Sequence, residues 1–349
     1  MSADYLVPTG MLTGAAAARA IAAGTALPLA GGPVAFGGGE IVRRDGAGQG
    51  VREAASLTEI ERHSADLLAG FLRPRAQWAG LDLGMPRIMG IVNVTPDSFS
   101  DGGDYADPAA AIARGVALAA AGADILDIGG ESTRPGAAPV TVEEELNRVI
   151  PVIRALAERG HCVSVDTRHA AVMAAAVEAG ARIINDVTAL TGDPAAEAVA
   201  ARSGAAIILM HMQGEPRTMQ ADPVYADATL DLIDYFAARI ARLEALGVDR
   251  ARVSLDPGIG FGKKDPHNLL ILNELAAFHG FGCPLTLGVS RKSFIGRLSR
   301  GEAPKERLGG SVAIAALALD RGVQIVRVHD VAATFQARAM VLALAGAGA

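Results

Sequence analysis

From Pro86 onward one unit recurs: an alanine-rich amphipathic helix, a glycine, then a short apolar strand that ends in polar residues. The glycines are Gly122, Gly160, Gly180, Gly204, Gly247 and Gly322, each where a helix needs a left-handed residue before the chain turns back. The strands that follow them are Asp124–Ile128, Cys162–Asp166, Arg182–Asn185, Ala205–His211, Arg252–Asp256 and Gln324–His329. An opening strand over Ile88–Val94 and another over Pro284–Ser290 bring the total to eight. Helices are expected near 107–121, 143–159, 169–178, 194–202, 226–246, 266–277, 304–320 and 331–345. Eight strand-then-helix units with short connections predict an α/β fold, a closed (β/α)8 TIM barrel. An open doubly wound sheet is the rival, but no Gly-x-Gly-x-x-Gly opens the first helix. Gly258-Ile-Gly-Phe-Gly-Lys263 lacks the spacing of a phosphate loop.

Chemistry in such a barrel sits where the strands end. Those ends carry Asn93, Glu131-Ser-Thr-Arg134, Asp166-Thr-Arg168, Asn185-Asp186, Met210-His-Met212, Asp256, Ser290-Arg-Lys292 and Arg327-Val-His329. Any one could be a satisfied core residue, but their recurrence around one rim is hard to explain as core packing. Asp166, Asn185, Asp256 and Lys292 suit the edge of a flat heterocycle. Asn93, Thr133, Arg134, Arg327 and His329 suit an anion, with the Asn93 oxygen able to ligate a hard cation such as Mg2+. A ring beside a phosphate group implies transfer from a phosphorylated ring compound.

The motifs that carry these residues resemble the dihydropteroate synthase family. They are Asn93-Val-Thr-Pro-Asp-Ser-Phe-Ser-Asp-Gly-Gly103, Asp127-Ile-Gly-Gly-Glu-Ser-Thr-Arg-Pro-Gly136, Val165-Asp-Thr167, Ile184-Asn-Asp186, Met210-His-Met-Gln213, Asp256–Lys263, Ser290-Arg-Lys-Ser-Phe294 and Arg327-Val-His-Asp330. The resemblance implies a transferase that joins p-aminobenzoate to 6-hydroxymethyl-7,8-dihydropterin pyrophosphate, releasing pyrophosphate and 7,8-dihydropteroate for folate synthesis. It implies a sulfonamide target with Mg2+ as cofactor, small-molecule substrates and a homodimer. By position, Asp166, Asn185, Met210, Asp256, Phe261 and Lys292 would bind the pterin. Asn93, Arg134, Arg327 and His329 would hold the pyrophosphate, with Asn93 on Mg2+. Phe99, Thr133, Pro135, Lys292 and Ser293 would shape the p-aminobenzoate pocket. Asp166, Lys292, Arg327 and His329 would carry the catalysis. A pterin-dependent methyltransferase shares the pterin-binding Asp, Asn and Asp, but a methyl donor needs no pyrophosphate clamp. A catalytically silent paralogue should have lost an anion or Mg2+ ligand, and none is missing.

Residues 1–85 read as a separate, partly ordered accessory segment, and 86–349 as the barrel. Gly31-Gly32-Pro33 and Gly37-Gly38-Gly39 punctuate a piece with no sustained period, and Leu57–Leu72 has helical character with Thr58 and Glu61 in capping-box relation. The net charge of −6, with no basic tail, argues against nucleic acid as a partner. Arg19, Gly24 and Pro28 interrupt the alanine-rich N-terminus, so neither a signal peptide nor a membrane helix is expected. Cys162 and Cys283 have no metal-ligand spacing and read as reduced core thiols of a cytoplasmic protein. His161, His169, His267 and His279 are expected at the surface, and His211 as a structural group.

Overall fold

The computed structural model describes residues 4–63, 65–75, 77–94, 107–131, 140–215 and 218–347. The N-terminal part runs β1 (Tyr5–Thr13), α1 (Gly14–Ala22), β2 (Leu27–Leu29), β3 (Val34–Arg44), β4 (Gly50–Ser56), α2 (Leu57–His63), α3 (Ala65–Leu72), β5 (Gln77–Trp78) and β6 (Leu81–Asp82). The barrel strands are β7 (Arg87–Asn93), β8 (Ile125–Gly129), β9 (Cys162–Asp166), β10 (Ile183–Asp186), β11 (Ala206–Met210), β12 (Val253–Asp256), β13 (Thr286–Gly288) and β14 (Ile325–Val328). The helices between and after them are α4 (Pro108–Ala120), α5 (Val142–Ala157), α6 (Ala170–Glu178), α7 (Ala196–Ser203), α8 (Ala228–Ala245), α9 (Asp265–Asn273), α10 (Ser293–Arg297), α11 (Leu308–Asp320) and α12 (Val331–Gly346).

Parallel pairing runs in order from β7 through β12 on one side and from β7 to β14 and β13 on the other. A parallel bridge between Leu255 and Leu285 joins the last two edges, supported by a 3.0 Å bond from the Leu255 N–H to the Pro284 carbonyl. The sheet is therefore a closed barrel and not an open sheet. The repeating glycines do what the sequence asks of them, with φ from +69° at Gly204 to +106° at Gly180. Two helices are shorter than expected. The 266–277 helix stops at Asn273 and continues as a 3-10 turn over Leu275–Phe281, and the 304–320 helix begins only at Leu308. The short α10, directly after Lys292, is not foreseen in the sequence.

The N-terminal segment forms an antiparallel sheet in which β3 pairs with β1 on one side and with β2 and β4 on the other. The run Gly37–Gly39 lies inside β3, where the sequence suggests a break. A Cβ on Gly39 would fall 2.7 Å from Leu6 Cδ1 and 3.0 Å from Ile60 Cδ1, so the glycine permits close packing. The helix after β4 is capped two residues earlier than predicted. Ser56 Oγ accepts from the Glu59 N–H and Glu59 Oε2 accepts from the Ser56 N–H, whereas Thr58 and Glu61 are the pair expected. Next, Trp78 and Leu83 close the N-terminal end of the barrel against Met89, Ile125, Ile183, Ile208 and Ile325. Arg75 is buried and donates to the carbonyls of Cys283, His279, Gly70 and Arg73. Burial pushes its guanidinium down to about 10.

Candidate active site

Strand ends bring most of the expected residues to one mouth. At its centre Arg327 on β14 donates from Nε to Asp127 Oδ2 at 2.6 Å and from Nη2 to Asp166 Oδ2 at 2.5 Å. Asn185 Nδ2 donates to the same Asp127 oxygen at 3.2 Å. Asp127 is fully buried on β8, and its Oδ1 has no hydrogen-bond partner. This carboxylate links the pterin-type and anion-type residues, and the sequence reading missed its role. The signal was present as a charged residue inside the apolar run Ile125-Leu-Asp-Ile128. Withdrawal from water pushes the Asp166 carboxyl up to about 7, against the pull of Arg327 and with the push of Asp127.

Across the mouth, Lys292 Nζ stands 3.8 Å from the centroid of the Phe261 ring. Burial pushes the Lys292 ammonium down to about 8, while Asp256 opposes that shift. Asp256 is buried, and its Oδ1 accepts the Gly258 N–H at 2.8 Å. Burial raises its carboxyl too. Met210, the buried last residue of β11, is paired in register with Asp256. Ser290 Oγ accepts the His329 N–H at 3.2 Å and lies 3.1 Å from His329 Nδ1, which sets the imidazole. Ser293 opens α10, and its hydroxyl accepts from Arg297 at 2.8 Å. Asn93 ends β7 with its amide half-buried. Phe99, Thr133, Arg134 and Pro135 lie outside the described residues.

The Gly258–Lys263 loop under Phe261 is held from within. Lys263 is buried, and its Nζ donates to the carbonyls of Gly258, Phe261 and His211 and to His211 Nδ1 at 2.9 Å. Burial and the neighbouring Lys263 push His211 down to about 2, so its ring is a neutral acceptor and structural, as the sequence suggests. Gly258 is required here: its φ is +65°, and a Cβ would fall 2.0 Å from the His211 carbonyl oxygen. Two other histidines depart from surface placement. His279 is fully buried beside the Arg321 carbonyl, and His169 Nδ1 lies 2.7 Å from Oε2 of the buried Glu145. Among the described residues, no cluster of three or more His, Cys, Asp or Glu could hold a metal ion.

Residues 89–329 match the model of a family described as pterin binding enzyme. The dihydropteroate synthase of Escherichia coli (strain K12) is 49% identical over 267 residues, covering 76% of this chain and 94% of that protein. The chain belongs to the dihydropteroate synthase family. The Yersinia pestis dihydropteroate synthase, solved with a sulfonamide drug, superposes with a TM-score of 0.73 at 47% identity, over 76% of this chain and 97% of that one. The Xanthomonas albilineans enzyme in complex with 7,8-dihydropteroate gives 0.69 at 46% identity, over 76% of this chain and 95% of that one. In this dihydropteroate synthase family member, the family match begins at residue 89, after the N-terminal sheet.

Proposed function

We propose that this chain condenses 6-hydroxymethyl-7,8-dihydropterin pyrophosphate with p-aminobenzoate to give 7,8-dihydropteroate and pyrophosphate. The observation that carries the reading is the Asp127–Arg327–Asp166 bridge beside Asn185, within the family's barrel mouth. Asn185, Asp256 and Lys292 offer amide, carboxylate and ammonium to the pterin edge, and Phe261 and Met210 offer apolar surface to its faces. Asp166, a carboxylate paired with Arg327, is suited to stabilise positive charge that spreads into the ring as the methylene–oxygen bond breaks. The arylamine then attacks that carbon, and as a weak base it needs no strong general base.

Arg327 and His329 would hold the pyrophosphate. Arg327, however, is one guanidinium facing two carboxylates, so a pyrophosphate there calls for more positive charge. Mg2+ fits that requirement: it takes few protein ligands, keeps waters and substrate phosphates, and prefers hard oxygen donors such as the Asn93 amide. When bound it would supply Lewis-acid stabilisation of the leaving pyrophosphate. We extend the proposal to a homodimer through α11 and α12, whose Leu317, Met340 and Leu344 are exposed. A cytoplasmic location is supported by the two buried free thiols. Among the described residues no helix is long and apolar enough to cross a membrane.

The test supplies purified protein with the pterin pyrophosphate and Mg2+, with and without p-aminobenzoate. Pyrophosphate release that requires p-aminobenzoate, stops with chelator and is inhibited by a sulfonamide is the expected result. Pterin binding with no product would replace this reading with that of a silent binding protein.

A further inference from the structure

The hairpin between β3 and β4 touches the barrel at one place that leads to the site. Two of its arginines grip the start of α8. Arg52 Nη1 pairs with Asp227 Oδ2 at 2.9 Å, and Arg44 Nη2 pairs with Asp231 Oδ1 at 2.9 Å. Both carboxylates also fix backbone, because Asp227 Oδ1 accepts the Leu230 N–H and Asp231 Oδ2 accepts the Ala226 N–H. The contact is tight: a Cβ on Gly50 would fall 2.5 Å from Asp227 Oδ2. Asp227 ends the loop after β11, Asp231 in the first turn of α8 holds that loop at Ala226, and the loop props the Phe261 loop. Tyr225 donates to the Gly262 carbonyl at 2.7 Å and Gln220 to the Gly260 carbonyl at 2.6 Å. Phe261, between those two carbonyls, is the ring that faces Lys292.

We propose that Arg44 and Arg52 are positioning residues for the pterin half of the site, acting through Asp227 and Asp231 on the loop that carries Phe261. This inference rests on the pterin reading of that site. The same arginines make a second, matched set of pairs that does not touch the loop after β11: Arg52 with Glu274, at the far end of α9, at 2.8 Å and Arg44 with Asp234, a turn further along α8, at 2.7 Å. Each set can therefore be tested against the other.

The experiment compares full-length Asp227→Asn/Asp231→Asn with Glu274→Gln/Asp234→Asn. Both doubles neutralise one partner of each arginine, and Asn still caps a helix. Calorimetry with the pterin pyrophosphate, KM for each substrate and Tm are measured. The first double should weaken pterin binding by about tenfold, within the roughly hundredfold that an ångström of misplacement can cost, with KM for p-aminobenzoate unchanged. The second should lose similar Tm and keep wild-type pterin binding. Equal weakening in both doubles, weakening in neither, or a rise in both KM values overturns the positioning role. A wild-type protein that neither binds nor turns over the pterin overturns the functional reading instead.

Discussion

Arg327→Ala removes the guanidinium that bridges Asp127 and Asp166. In the native chain its guanidinium lies 2.6 Å from Asp127, fully buried, and 2.5 Å from Asp166. Removing one partner of a buried pair costs about 3–5 kcal/mol, because the remaining charge stays out of water. At about 2 °C per kcal/mol for a chain of this size, that is a Tm loss of roughly 6–10 °C. The loss should depend on pH. The Asp166 carboxyl is already pushed up to about 7 in the fold, above the ordinary carboxylate value of 3.8, and Arg327 is the influence that holds it down. Without Arg327 the folded value rises further. A carboxyl raised on folding contributes stability that is complete at low pH and lost as pH climbs through its folded value. The variant's deficit should thus be small at pH 5 and largest at pH 8. Thermal melts at pH 5, 6.5 and 8 read this directly, and a deficit constant across that range refutes the reasoning. The charge loss also disturbs Asp166 itself, so pterin affinity should fall together with turnover.

Three further outcomes follow from the geometry. Pterin affinity should weaken as pH rises through about 8, where Lys292 loses its proton, and Lys292→Gln should bind weakly with that limb gone from the pH profile. Gly258→Ala should cost both stability and pterin binding, since its Cβ meets the His211 carbonyl at 2.0 Å; binding titrations and melts on the variant check this. Trp78→Ala should lower stability by about 3–5 kcal/mol in denaturant titration and leave both KM values unchanged, because Trp78 packs at the end of the barrel opposite the mouth.

Much of this was legible in the chain because a parallel strand buried on both faces reads as an apolar run, and a helix-ending glycine marks each return. Asn185, Asp256, Lys292 and Arg327 showed themselves as polar groups at the ends of such runs. Asp127 did not, since it sits two residues before the end of β8 and its partners come from β10 and β14. No local pattern announces a pairing with a residue 200 positions away. The N-terminal sheet was illegible for a different reason. Gly37–Gly39 signals a turn by composition, and only the neighbouring Leu6 and Ile60 explain why a strand needs no side chains there. His279 misled in the same way, because its burial comes from packing against the distant Arg321 carbonyl.

The buried Arg75 has a consequence for how the chain is made. Its acceptors include the carbonyls of His279 and Cys283, more than 200 residues downstream. The N-terminal sheet leaves the ribosome well before the surface that receives it is translated. At about 5–20 residues per second, that interval is on the order of 10–40 s. During it Leu6, Phe36 and Phe71, which pack together with Ala276 in the finished fold, lack that partner. Ribosome-bound chains arrested before residue 275 should be cut by protease within the first 80 residues, and chains released at full length should resist. That sheet is made before the surface that fastens it.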